Sequence, residues 1–248
     1  MSESPRLNFM TVVRSLQFHH AIGWLLVLVT LYLVGYYVPG GGIVDEAGKP
    51  AIGGSSYLIF FFHFPSAVNC LNFFIFGGIV SGWYLARRKV GPKSEQLTAS
   101  AIEVGVLACT VTLATGSIWA KAAWNVYWEP KDMRLMTVAV TWFTYLGFLV
   151  LRANVDDPRK RALFSSIFAV IASINVPIVY FSIKWFGKQS HPMPDADLLA
   201  HPKMKLARWF GAFAFLVLYT AFWRWRYRIA KMKDDADRLE ASFAEARI

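Results

Sequence analysis

TGSIWAKAAWNVYWEPKDMR, residues 115–134, sets Trp119, Trp124, Tyr127 and Trp128 close together and interleaves them with Lys121, Glu129, Lys131, Asp132 and Arg134. A soluble core does not mix aromatics and charges this densely, and a membrane span cannot hold that many charges cheaply. Aromatic rings with polar edges suit the membrane–water interface. The stretch therefore reads as an aromatic belt between two spans, or as a flat platform for a flat, partly charged ligand. Either way its flanks are membrane-spanning helices, and the fold follows from that.

Working outward, hydrophobic residues make up 56% of the 248 and charged residues 17%, against about 25% charged in soluble domains. Mean hydropathy is +0.39. Six apolar runs emerge, at 20–38, 60–86, 99–119, 135–151, 162–185 and 207–223. Each is near the roughly 20 residues that cross a bilayer. The expected fold is all-α: a polytopic bundle of six transmembrane helices forming one membrane domain over 1–248, with 224–248 as a charged cytoplasmic tail. The Gly/Pro-rich stretch after the first run and the polar stretch 187–205 are loops. Pro65 fits the first turn of a helix, which puts His63 at the mouth of the second span. Asn175 and Pro177 predict a kink in the fifth. The polar segment 1–17 and the long first run argue against a cleavable signal peptide.

The net charge of +10 comes from short basic clusters beside apolar runs, which are topology signals rather than a nucleic-acid groove. With both termini cytoplasmic, 17 of the 26 Lys and Arg fall on the inner side, the distribution that membrane insertion favours. Cys70 and Cys109 lie inside apolar runs, outside any CxxC or CxxCH pattern, so they read as packing residues. Glu103, inside the third span, predicts an ion pair or hydrogen bond to a neighbouring helix. His19 and His20 read as interfacial side chains. No nucleophile–base pair, acid–base carboxylate pair or phosphate loop is visible, so the expectation is a non-enzyme.

That topology collects His63, the Trp-rich stretch and His191 on one outer face. Two imidazoles flanking an aromatic platform suit the iron of a planar macrocycle, ligated from both sides. His201 competes with His191 on sequence grounds. Lys121, Lys131 and Arg134 could pair with the macrocycle's carboxylates.

Gly116-Ser-Ile-Trp-Ala-Lys-Ala-Ala-Trp-Asn-Val-Tyr-Trp, continuing to Asp132-Met-Arg-Leu, resembles the tryptophan-rich "WWD" signature of haem-handling membrane proteins. It is closest to that of the haem exporter protein C (CcmC) family of cytochrome c maturation. His63-Phe-Pro-Ser-Ala and Val176-Pro-Ile-Val-Tyr-Phe-Ser-Ile-Lys-Trp resemble two further segments of that family, and His191 falls where its second ligand is expected. After the fifth span, Trp185-Phe-Gly-Lys-Gln-Ser-His191 shifts His191 slightly from the family's position, and the signature itself departs in two places. Asn125 stands where the family carries glycine, and Glu129-Pro130-Lys131-Asp132 replaces its terminal Trp-Asp.

The resemblance implies a b-type haem, bound non-covalently as transient cargo, with His63 and His191 as axial ligands. It implies a platform of Trp119, Trp124 and Trp128, joined by Tyr127, Lys121, Asp132 and Arg134. It further implies presentation at the periplasmic face of the bacterial inner membrane to the haem chaperone CcmE. The implied partners are the CcmA ATPase and the CcmB and CcmD membrane subunits of an ABC-type complex. Two other readings stay open. A b-type cytochrome electron-transfer subunit needs paired mid-span histidines, and none of the five histidines lies mid-span. A haem-independent scaffold would keep the tryptophans as belt alone.

Overall fold

The computed structural model describes residues 5–38, 58–186 and 202–245. Within them the chain is helical, without strands: α1 (Pro5–Tyr32, continued by a π-helical turn Leu33–Tyr37), α2 (Phe60–Ala86), α3 (Pro92–Trp124), α4 (Met133–Ala153), α5 (Pro158–Ser173), α6 (Asn175–Phe186) and α7 (Pro202–Glu245). Six stretches are long and apolar enough to cross a membrane, with α5 and α6 forming one of them. The expected six-span, all-α architecture is what the chain adopts.

The helices overrun the apolar runs because capping signals lie beyond them. α3 starts at Pro92, whose missing N–H costs nothing in a first turn, while the Ser94 hydroxyl accepts from the Gly91 N–H at 3.0 Å. α5 starts behind Asp157, whose carboxylate accepts from the amides of Arg159 and Lys160 at 2.8 and 3.0 Å. Those two amide bonds favour the ionised form and hold the Asp157 carboxyl below its ordinary range. The fifth span breaks at Ile174, between α5 and α6, beside the Asn175 and Pro177 that predicted a kink.

α3 is the central post, packed against α2, α4, α5 and α7. Lipid offers no hydrophobic drive between helices, so close approach at small residues does the work. The Phe74 ring lies over Gly105 and stacks on Tyr145 with centroids 3.7 Å apart. Gly78 faces Ser173 so closely that a Cβ would come within 2.5 Å of it. Cys70 and Cys109 are buried and unbridged, as packing residues should be. Three polar contacts cross between helices inside: Ser81 with Thr98 at 2.9 Å, Ser66 with Tyr219 at 3.1 Å, and the Asn69 amide donating to the Ala212 carbonyl at 3.0 Å.

One end of the bundle is tied by charge. Buried Glu95 bonds Arg152 of α4 and lies 3.9 Å from Arg161 of α5. Glu103 accepts from Arg226 of α7 at 2.6 Å, the interhelical partner expected of an acid within a span. His19 joins this end, with its ring nitrogens at 2.6 Å from the Ser15 carbonyl and 2.9 Å from Arg224. His20 packs on Phe222 and Trp225.

Candidate functional site

The opposite end holds a cavity of about 390 Å³, within the range of pockets that bury a whole ligand. Its walls come from the first turns of α2, the last turns of α3, the start of α4, the middle of α6 and the start of α7.

His63 is the anchor. On the first turn of α2, its Nδ1 lies 3.0 Å from the Thr112 carbonyl oxygen of α3. A carbonyl only accepts, so Nδ1 carries the proton and the lone pair stays on Nε2, the arrangement that orients imidazole as a metal ligand. Gly116 makes this approach possible: a Cβ there would sit 2.8 Å from His63 Cε1 and 3.1 Å from Nδ1. One turn on, buried Trp119 tilts against the imidazole at 5.8 Å and against Phe60 at 5.7 Å.

The cationic part comes from two helix starts. Arg134 enters the wall from the first turn of α4, which Asp132 caps by accepting from the Arg134 and Leu135 amides at 3.0 and 3.3 Å. Arg208 enters from α7, nearly buried, with its guanidinium 5.3 Å from the centroids of both Phe64 and Trp209. Among the described residues, the lining holds these two guanidiniums and no carboxylate. An apolar aromatic slot with one imidazole and two cations suits a flat, hydrophobic, carboxylate-bearing ligand. No three His, Cys, Asp or Glu side chains converge among the described residues.

Of the residues singled out in the sequence, His63, Trp119, Trp128 and Arg134 meet at this cavity. Lys121 turns away: it donates to the Asn125 carbonyl and side-chain oxygens at 3.2 and 2.8 Å, and lies 5.4 Å over the Tyr127 ring. Tyr127 is exposed, and its carbonyl accepts from Ser117 at 2.9 Å. Asp132 is buried as the cap of α4. The side chain of Trp124, and His191 and His201 altogether, lie outside the described residues.

Both departures from the signature have local explanations. Asn125 ends α3 in the left-handed conformation, φ 60°, which glycine adopts freely and asparagine better than other L-residues. Glu129 to Asp132 form a turn with Pro130 at its second position. The Asp132 N–H donates to the Glu129 carbonyl at 3.0 Å, and the Lys131 N–H to the Glu129 carboxylate at 3.0 Å. That turn delivers Asp132 to its capping position.

Sequence reasoning missed Arg208, Tyr180 and Thr112. Arg208 carries a readable signal, a charge one residue inside an apolar run, which marks a site by default. Nothing in the sequence marks the Thr112 carbonyl.

A family model described as Heme exporter protein C matches residues 8–242. The Heme exporter protein C of Bradyrhizobium diazoefficiens is 33% identical over 141 residues, 56% of this chain and 52% of that protein. Over that match the chain spans about half the relative's length. Coverage is fuller for the proteins of the same name from Haemophilus influenzae (26% identical, 86% of each chain) and Escherichia coli K12 (25% identical, 79% of this chain and 78% of that one). The family match runs through every helix that walls the cavity, and on that basis the chain belongs to the Heme exporter protein C (CcmC) family.

Proposed function

We propose that this chain holds haem b transiently in the cavity around His63 and presents it at the periplasmic face of the inner membrane for cytochrome c maturation. The observation that carries this reading is the His63 imidazole, oriented by the Thr112 carbonyl at 3.0 Å inside an aromatic slot with two guanidiniums. His63 supplies one axial ligand through Nε2. His191 supplies the other, with His201 as its competitor. Arg134 and Arg208 receive the propionates, and Trp119 and Trp128 form part of the apolar wall. Two protein ligands leave iron no open position, which favours held cargo over oxygen chemistry.

The basic clusters support the side. Arg87, Arg88, Lys89, Arg159, Lys160 and Arg161 flank helix ends opposite the cavity, and such clusters stay cytoplasmic. Family membership supports, as part of the same reading, hand-over to the chaperone CcmE within an ABC-type complex completed by CcmA, CcmB and CcmD.

The absorption spectrum of the purified protein tests this, wild type beside His63→Ala, His191→Ala and His201→Ala. The expected result is a low-spin b-type spectrum that both His63→Ala and His191→Ala weaken or turn high-spin. Loss with His201→Ala in place of His191→Ala would move the second ligand. Absence of haem from every protein purified from haem-replete cells would overturn the proposal.

A further inference from the structure

We infer that the part of α7 beyond the bundle is a docking seam for an amphipathic helix of a different protein, one with acidic flanks nearest the membrane and basic flanks farthest from it. α7 is 44 residues without a break, about 66 Å at roughly 1.5 Å per residue, against a hydrocarbon core of about 30 Å. Roughly its last 20 residues therefore stand outside the bilayer.

The apolar pattern does not stop where the bundle does. Phe215 and Leu218 face the core, and Phe222 packs against it. The same alternation of three and four then continues through Trp225, Ile229, Met232, Ala236, Leu239 and Phe243. A strict 3.5-residue period is a coiled-coil seam, narrower than the stripe of an ordinary surface helix. Inside, the seam is covered. Outside, Met232, Leu239 and Phe243 are 59%, 59% and 67% exposed, an unusual state for an apolar line in water.

The flanking charges select the occupant. Arg228 and Lys233 border the membrane-proximal half of the seam, and Asp235 and Glu240 the distal half. Two copies of this chain in one membrane would run parallel, setting Arg228 against Lys233 and Asp235 against Glu240. Both are like-charge contacts across the seam, so a second copy is disfavoured. A helix bound flat on anionic lipid carries basic flanks along its length, whereas the distal half here is acidic and continues straight from the span. A partner helix of opposite charge order satisfies the seam and both flanks together.

The test uses the full chain in nanodiscs and two synthetic helical peptides with the same leucine seam and composition. In one peptide Glu and Lys flanks are segregated into halves; in the other they are shuffled. The expected result is at least fivefold tighter binding of the segregated peptide, lost in Leu239→Glu and kept in Ala241→Glu on the opposite face. In cells, a photoreactive residue at Leu239 should capture a segment with apolar heptads and an acidic membrane-proximal flank, and one at Ala241 should not. Equal binding of the two peptides, binding indifferent to Leu239→Glu, or capture of phospholipid or of a second copy at Leu239 would each overturn the inference.

Discussion

Gly116→Ala probes the architecture of the site with a single methyl group. The new Cβ would lie 2.8 Å from His63 Cε1 and 3.1 Å from Nδ1, where carbon atoms settle at about 3.5–4.0 Å. The imidazole must move by about 1 Å, since α3 backbone on the other side cannot. That displacement stretches the 3.0 Å contact to the Thr112 carbonyl beyond hydrogen-bonding range. Overpacking of this kind costs about 1–3 kcal/mol, and the lost bond about 1 kcal/mol more. If the ring must regain its place to ligate iron, the overpacking alone weakens haem binding by about 5- to 150-fold. Haem titration in nanodiscs, followed by absorbance, reads this directly. Gly147→Ala is the control, because its Cβ meets nothing nearer than 3.9 Å. In a His63→Ala background, Gly116→Ala should cost little or no further thermal stability, because the ring it would meet is gone. Equal haem affinity and spectrum in Gly116→Ala and Gly147→Ala would refute the idea that α3 holds the imidazole in position.

Two further perturbations separate scaffold from site. Asp132→Ala removes the cap of α4 and should cost about 1 kcal/mol, seen as a lower unfolding temperature and faster amide exchange at Arg134 and Leu135; Asp132→Ser should recover most of it. Glu95→Gln leaves Arg152 and Arg161 without their buried carboxylate at the far end of the bundle. It should destabilise by about 2 kcal/mol, less than a fully buried pair because Arg152 is partly exposed, and haem affinity measured on the folded protein should not change.

The six spans were legible because a bilayer demands about 20 apolar residues per helix, and this chain supplies them between turn signals. Glu103 announced a partner because a carboxylate within a span needs one, and Arg226 meets it at 2.6 Å. Pro177 announced the break in the fifth span through its missing N–H. What stayed hidden depends on contacts between distant helices. Lys121 reads as a ligand cation in one dimension, yet the left-handed turn at Asn125 offers it two oxygens one helical turn away. Asp132 ahead of an apolar run is a cap signal as well as a signature residue, and its geometry is that of a cap. Arg208 belongs to the cavity only because α7 packs beside the first turns of α2, bringing Phe64 within 5.3 Å of its guanidinium.

The broken fifth span divides one crossing between two neighbours. α5 lies against α2, α3 and α4, whereas α6, which carries Val179 and Tyr180 to the cavity, leans mainly on α4. The two halves part at Ile174, whose N–H still donates to the Ile171 carbonyl at 3.2 Å, so the inner half takes its direction from α2 and α3 while the outer half takes its own from α4. One crossing thus answers to two supports: the bundle's centre fixes its inner half, and α4 largely decides where the Val179–Tyr180 wall of the cavity stands.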